Sequence, residues 1–238
     1  MHNVTTNGAT IPALGLGTFR MPGEDVLRIV PYALKAGFRH VDTAQIYGNE
    51  AEVGEAIAGS GIQRNDIFLT TKVWVENYKH DAFIASVDES LAKLKTDYVD
   101  LLLLHWPNEA VSLAQQIGAL NEVAKAGKVR HIGVSNFNTT LMAEAKALSD
   151  LPLVTNQIEY HPYLNQRSVI EAAAASDMSI TGYYAMADGK VFSDAVLKDI
   201  AAAHGKSVAQ VVLRWLVQQD NVIALSKTVS EARILENL

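Results

Sequence analysis

The chain of 238 residues contains no cysteine. Disulfides, thiolate nucleophiles and cysteine-ligated metal sites are therefore excluded. A basic excess is also lacking: 20 Lys and Arg stand against 26 Asp and Glu, for a net charge of −6. That balance speaks against bulk binding of nucleic acid or an anionic membrane, both of which need a positive face. It leaves room for a local basic pocket. Long apolar runs are missing too. The longest are of strand length, far below the roughly 20 residues that span a bilayer. The opening MHNVTTNGATIP has no charged-then-apolar signal layout. No HExxH pattern occurs, so no metal is expected. The expectation is a cytoplasmic protein with neither nucleic-acid nor membrane partners.

What is present is apolar sequence for a sizeable core, at 49% apolar and 19% charged residues. The length is large for one ordinary domain but common for a barrel. No linker, low-complexity stretch or repeat divides it, so residues 1–238 read as a single domain. Val4 to Ile11 reads as a hairpin turning at Asn7-Gly8 and placed to close a barrel floor. Eight short apolar segments follow at regular intervals: Ala13 to Gly17, Phe38 to Asp42, Ile67 to Val73, Tyr98 to His105, Val129 to Val134, Leu153 to Ile158, Ser179 to Tyr184 and Val222 to Leu225. Most are apolar on both faces, as buried parallel strands are.

Helical patterns fill the gaps. Asp25 to Ala36 is the first, and Pro31 inside it is expected to kink it or delay its start. Glu50 to Ala58 follows Asn49, with Glu52 placed to complete a capping box. Further helices are expected over Ala82 to Leu94, Leu113 to Ala126, Thr140 to Leu148, Gln166 to Ser176 and Ser193 to Ala203. Another runs from Ser207 to Gln218, with Ser207 and Gln210 as its capping box. Strands alternating with helices argue for one α/β fold, a parallel (β/α)8 TIM barrel, rather than an open sheet.

Chemistry in such a barrel sits at the C-terminal strand ends and the loops beyond them. Four polar residues fall there. Asp42 ends the second strand, Tyr47 lies on its loop, Lys72 is near the end of the third, and His105 closes the fourth. Taken singly, a structural Asp–Lys ion pair and a satisfied core histidine explain them as well. Four on one rim shift the balance towards a site. A phenol near pKa 10 is a poor acid at neutral pH. Lys72 beside it would stabilise the phenolate and lower that pKa, and Asp42 would hold Lys72. Tyr47 could then give a proton to a carbonyl oxygen while His105 donates a hydrogen bond to the same atom. A lysine at a barrel rim also admits a Schiff-base, aldolase-type reading with Lys72 as nucleophile. Trp74, Trp106 and Phe19 could wall an apolar substrate slot.

The stretch GFRHVDTAQIYGNEAEVG carries a resemblance. Gly37, Phe38, Arg39, Asp42, Ala44, Glu50 and Gly54 stand at the spacing of the first signature of the aldo-keto reductases, and VRHIGVSNF is similar to the second. The resemblance covers essentially the whole chain, in detail towards the bacterial diketogluconate and methylglyoxal reductases. It implies that Asp42, Tyr47, Lys72 and His105 are the catalytic tetrad, with Tyr47, His105, Trp74 and Trp106 facing substrate. It also implies a nicotinamide cofactor, since no side chain donates hydride. Ser135, Asn136 and Gln157 then match the carboxamide ligands and Tyr183 the ring that stacks on the nicotinamide. Gly17, Thr18, Phe19 and Asp42 are implied as further cofactor neighbours.

Near the end, Lys227, Thr228 and Arg233 resemble a clamp for the adenosine 2′-phosphate, which favours NADPH over NADH, with Glu236 and Asn237 reaching the adenine. Read locally, the same residues are a helix start capped by Ser230 with solvated charges. The chain departs from the family pattern at Tyr184, Ala185 and Met186, where Ser-Pro-Leu is usual, and at Ser226, where proline is usual. The expected activity is reduction of a small carbonyl substrate by a monomer. A barrel that binds cofactor without catalysis is the alternative. Set against family members, the chain stops at Leu238 one or two turns into its last helix. A truncated helix and tail, with apolar surface uncovered on the eighth strand, are therefore expected.

Overall fold

The computed structural model describes residues 2–238. A two-stranded antiparallel hairpin comes first, β1 (Asn3–Thr6) and β2 (Ala9–Pro12). Asn7 and Gly8 turn it with φ of +43° and +84°. Two successive left-handed residues give the twist that a two-residue hairpin needs, and Asn-Gly supplies them at least cost. Eight strands then run parallel: β3 (Leu14–Gly17), β4 (His40–Asp42), β5 (Phe68–Val73), β6 (Val99–Leu104), β7 (Val129–Ser135), β8 (Leu153–Glu159), β9 (Ser179–Tyr183) and β10 (Val222–Ser226). They close into a barrel in chain order, with β10 hydrogen-bonded to β3. The sequence placed all eight to within two residues at each end.

The helices are α1 (Gly23–Ala36), α2 (Glu50–Ala58), α3 (His80–Lys93), α4 (Leu113–Lys125), α5 (Thr139–Leu148), α6 (Arg167–Ala174), α7 (Ala195–His204), α8 (Val208–Val217) and α9 (Glu231–Glu236). Helices α1 to α5 and α8 each bury one stripe. On α1 the stripe is Val26, Ile29, Val30, Ala33 and Leu34, the three-and-four spacing of an amphipathic helix. Each of its larger side chains contributes about 1.5–3 kcal/mol on burial. Helices α2 and α3 approach so closely at Gly54 that a Cβ there would collide with the Lys93 carbonyl and the Leu94 backbone.

Inside the barrel, Leu101, Leu103, Phe68 and Ile223 meet Val4, Ala9 and Ile11 of the hairpin. Thr6 Oγ1 donates to the Val154 carbonyl at 3.0 Å and Asn7 Nδ2 to the Leu153 carbonyl at 2.8 Å. The hairpin thus plugs the floor, and the open end of the barrel is the C-terminal one. No described helix is long and apolar enough to cross a membrane.

Three local expectations are corrected. Pro31 does not delay α1, which starts at Gly23 and runs through it. The carbonyl that loses its partner belongs to Leu27, which is exposed, so water can satisfy it. Asn49 makes no side-chain cap on α2. It is buried, accepts from Thr43 Oγ1 at 3.0 Å and donates to the Thr18 and Met21 carbonyls at 3.0 and 3.2 Å. Its amide cross-links the loops after β3 and β4, which outweighs a cap worth about 1 kcal/mol. Finally, β10 is not uncovered. All five residues are buried, and α8 lays Val212, Leu213 and Leu216 on that side of the barrel. The capping box of Ser207 with Gln210 and the Ser230 cap on α9 form as expected.

Candidate active site

Strand register creates the site. His40 and Asp42 lie two apart on β4 and so share a face, as do Thr70 and Lys72 on β5. With His40 opposite Phe68 and Asp42 opposite Thr70, these side chains stack in two layers. In the lower one His40 Nε2 meets Thr70 Oγ1 at 3.1 Å. In the upper one Lys72 Nζ donates to Asp42 Oδ1 at 2.6 Å and to the Thr43 carbonyl at 2.8 Å. Its third hydrogen bond, at 3.2 Å, goes to the Tyr47 hydroxyl. Tyr47 is delivered by a single 3₁₀ turn, Gln45–Tyr47, immediately above β4. His105, one residue past β6, places its ring edge-on to Tyr47 at 5.7 Å between centroids. The four residues expected at one rim are brought together.

Burial governs their electrostatics. Lys72 is closed to solvent, which disfavours its charge, but the Asp42 carboxylate and the Tyr47 hydroxyl outweigh that, and its pKa lies above the ordinary value. Tyr47 corrects an expectation. Burial pushes the phenol up more than Lys72 pulls it down, and the nearby Asp42 charge adds to the rise, so the net shift is upward. Lys72 stabilises the phenolate as anticipated but does not win. Burial and the Lys72 charge drive His105 down to about 3. Its imidazole is neutral at physiological pH, with Nδ1 buried and without a partner among the described residues.

A second polar layer joins the first. Gln157 Nε2 donates to Asp42 Oδ2 at 2.8 Å. Ser135 Oγ donates to the Gln157 carbonyl at 2.8 Å, and Asn136 Nδ2 to Ser135 Oγ and the His105 carbonyl at 3.1 and 3.0 Å. Tyr183 donates its hydroxyl to Asn136 Oδ1 at 2.7 Å, and burial carries its pKa up to about 12. Asn136 holds φ at +63° and Tyr184 at +60°, a strained backbone at the two strand ends that flank β8. On the opposite side Gly17 pairs with Asp42, and Thr18 donates from both N–H and Oγ1 to the Asp42 carbonyl at 3.0 Å. Phe19 is exposed and lies 5.0 Å from the Tyr47 ring. Trp74 lies edge-on to His105 at 5.3 Å, and Trp106 is exposed beside it.

Lys227 and Arg233 are solvent-exposed on the segment after β10, with Thr228 buried between them. Thr228 Oγ1 accepts from the Ser230 N–H at 3.1 Å, and Asn237 Nδ2 donates to Ser226 Oγ at 2.9 Å. Asn237 Oδ1 is buried and has no partner among the described residues, and Glu236 is half-buried. A separate groove of about 480 Å³ outside the barrel, lined by Tyr160, Tyr163, Ile170 and Trp215, contains none of these residues.

The sequence reading missed Gln45, Thr43 and Tyr78, and gave Glu50 only as a signature position without a partner. Glu50 is buried and accepts from Thr71 Oγ1 at 2.6 Å and Ser90 Oγ at 3.2 Å, and burial raises its pKa. The signal for Gln45 was its place in AQIY, two residues from the phenol.

A parallel barrel with charged and hydrogen-bonding groups gathered at its C-terminal mouth is an enzyme architecture, and an ammonium held against a phenol suits proton delivery to oxygen. The chain belongs to the aldo/keto reductase family, whose profile matches residues 13–238, and is an oxidoreductase. It is 49% identical over 222 residues to the methylglyoxal reductase DkgB of Salmonella typhimurium, which spans 92% of this chain and 83% of that protein. It is 38% identical over 232 residues to the glyoxal reductase of Bacillus subtilis, across 97% of this chain and 84% of that one. A crystal structure provisionally described as 2,5-diketo-D-gluconic acid reductase B is similar at 70% identity and a TM-score of 0.99, covering all of this chain and 84% of the other.

Proposed function

We propose that this protein catalyses NADPH-dependent reduction of small aldehydes and ketones, 2-oxoaldehydes and keto-sugar acids among them, to alcohols. It acts as a single-domain, monomeric barrel in the cytoplasm, with Tyr47 as proton donor. The observation that carries the reading is the Lys72–Tyr47 hydrogen bond inside a site where Lys72 is wholly buried. The names of the relatives support the substrate class.

The residues fit a nicotinamide dinucleotide. Ser135, Asn136 and Gln157 offer amide and hydroxyl groups beside the Tyr183 ring, and Asn237 Oδ1 is a buried acceptor without a partner among the described residues. Lys227 and Arg233 supply cations where a 2′-phosphate would sit, with Thr228 between them and Glu236 and Asn237 towards an adenine. Gly17, Thr18 and Phe19 border the same mouth. The reduced nicotinamide supplies the hydride when bound.

The chain's own residues do the rest. Tyr47 is neutral over the physiological range, so its hydroxyl hydrogen is available to a carbonyl oxygen. Lys72 faces that hydroxyl as a cation, so charge left on the phenolate oxygen after proton transfer is met at once. Asp42 keeps Lys72 aimed, and Gln157 and Thr18 keep Asp42 aimed. His105, neutral, donates one N–H to the same carbonyl oxygen. Hydrogen on Nε2 leaves the enclosed Nδ1 as a bare acceptor, the less costly orphan. Phe19, Trp74 and Trp106 exclude water around the carbonyl. Schiff-base chemistry at Lys72 needs a neutral amine, and Asp42 and Tyr47 hold this one charged.

The test is loss of NADPH absorbance with methylglyoxal or 2,5-diketogluconate and the purified chain. Turnover with either establishes the reading. A folded chain that binds NADPH and reduces neither leaves a cofactor-binding barrel instead.

A further inference from the structure

Two polar side chains with no part in proton or hydride transfer, the half-buried Gln45 and the fully buried Tyr78, stand directly behind the tryptophans. Gln45 uses its whole amide. Its Oε1 accepts from the Trp74 N–H at 2.9 Å and from Asn77 Nδ2 at 3.0 Å. Its Nε2 donates to the Ser86 carbonyl and to Ser90 Oγ, both at 3.2 Å. Ser90 in turn donates to Glu50, so this anchor ends on α2 and α3 rather than on loops. Tyr78 does the same for the next loop. Its ring is fully buried, its hydroxyl donates to the Trp106 carbonyl at 2.9 Å and accepts from the Trp106 N–H at 3.3 Å. A buried phenol hydroxyl is costly unless paired. Here both pairings fall on the backbone of one residue.

The consequence is a chain of fixed loops. Gln45 ties the loop after β4 to the loop after β5, and Tyr78 ties the loop after β5 to the loop after β6. The tied residues bracket the imidazole: Trp74 is edge-on to His105, and Trp106 is its neighbour in sequence. Indoles carried on loops hold a shape only if their backbone is held. Neither Gln45 nor Tyr78 touches the hydroxyl of Tyr47 or the ammonium of Lys72 in any hydrogen bond of the described residues.

We infer that Gln45 and Tyr78 are positioning residues that clamp the two tryptophan walls of the carbonyl slot and thereby set substrate affinity rather than the rate of the chemical step. The inference rests on the reductase reading of the site. It separates binding from chemistry because each clamp acts on a wall.

Tyr78→Phe is the informative variant, since the ring stays in the core and only the hydroxyl is lost. KM for methylglyoxal is expected to rise about fivefold or more, the scale of one or two lost hydrogen bonds. Kcat is expected to stay within about twofold and NADPH affinity to be unchanged. Gln45→Met, of similar length and without the amide, is expected to give the same split. A turnover-free readout accompanies the kinetics: in a Trp215→Phe background, acrylamide quenching of the two remaining tryptophans is expected to increase in both variants. An active wild-type enzyme whose two variants keep their KM, or lose kcat at constant KM, overturns the clamp, as does unchanged quenching. A wild-type chain that reduces no carbonyl overturns the reductase reading, and the quenching then decides the clamp on its own.

Discussion

The Tyr47 hydroxyl accepts a hydrogen bond from Lys72 at 3.2 Å, and Lys72 has no contact with solvent. That pairing divides labour between two residues whose pKa values both lie above the ordinary range. On the proposed reading, the phenol keeps its proton until an acceptor arrives, and the ammonium keeps its charge to receive what the proton leaves behind. Tyr47→Phe removes the proton and spares the ring that packs on Phe19. Carbonyl reduction is expected to fall by about 10²–10⁴-fold, the usual worth of a positioned acid, with NADPH affinity within about twofold. Stopped-flow turnover and fluorescence titration measure the two quantities. Near-normal turnover would remove Tyr47 from the proton-donor role.

The same electrostatics predict an unusual pH profile. His105 titrates near 3, so it contributes no inflection near the ordinary histidine value of about 6.5. On the proposed reading Tyr47 must be protonated to act, and burial holds its pKa above the ordinary phenol value. The rate of reduction is therefore expected to be flat from about pH 5 to 9 and to fall only in more alkaline solution. Stability has the opposite limb. The folded pKa values of His105 and His40 are depressed by burial, so on acidification the unfolded chain takes up these protons first. Their contribution is fully present above about pH 6.5 and is lost progressively as pH falls, for His105 down to about 3. Urea titrations across this window should show His105→Gln less sensitive to acid than wild type. An inflection in kcat/KM near pH 6.5 that vanishes in His105→Gln would refute the neutral imidazole.

The sequence and the structure part company at identifiable places. Strands were legible because apolar segments of strand length recurred between helical patterns, and the grouping of Asp42, Tyr47, Lys72 and His105 because they fall at or just beyond the ends of those segments. The caps at Ser207 and Ser230 are local events three residues long. Asn49 looked equally local, yet its amide bonds to Thr18 and Met21, some thirty residues away in chain, and that pairing is invisible in NEAE. Gln45 and Tyr78 were missed for the same reason: their partners are backbone groups of Trp74 and Trp106 on other loops. The sign of the Tyr47 shift depended on how completely β4 and β5 bury the site, which a list of neighbouring charges does not contain. A delayed start of α1 at Pro31 was misjudged because the carbonyl the proline leaves without a partner belongs to the exposed Leu27.

On the proposed reading, selection between NADPH and NADH turns on the segment after β10. Arg233 lies in the first turn of α9, whose N-cap Ser230 accepts the Arg233 N–H, and its guanidinium is exposed. Among the described residues neither Arg233 nor Lys227 is engaged in an ion pair. The nearby acid of the helix, Glu231, lies instead 3.8 Å from Arg28. Two cations free of carboxylates beside a buried threonine favour a dianionic ligand, and a guanidinium meets phosphate through two parallel donors. Arg233→Ala is expected to weaken NADPH about tenfold or more, on the scale of a charge-assisted hydrogen bond, and NADH by less than about twofold. Because the side chain is exposed, the preference for NADPH should also shrink as salt is raised through the range where the screening length drops below about 8 Å. Equal losses for both cofactors would remove the 2′-phosphate role from Arg233. A preference for NADPH that survives in Arg233→Ala and Lys227→Ala alike would move the 2′-phosphate site to another part of the mouth.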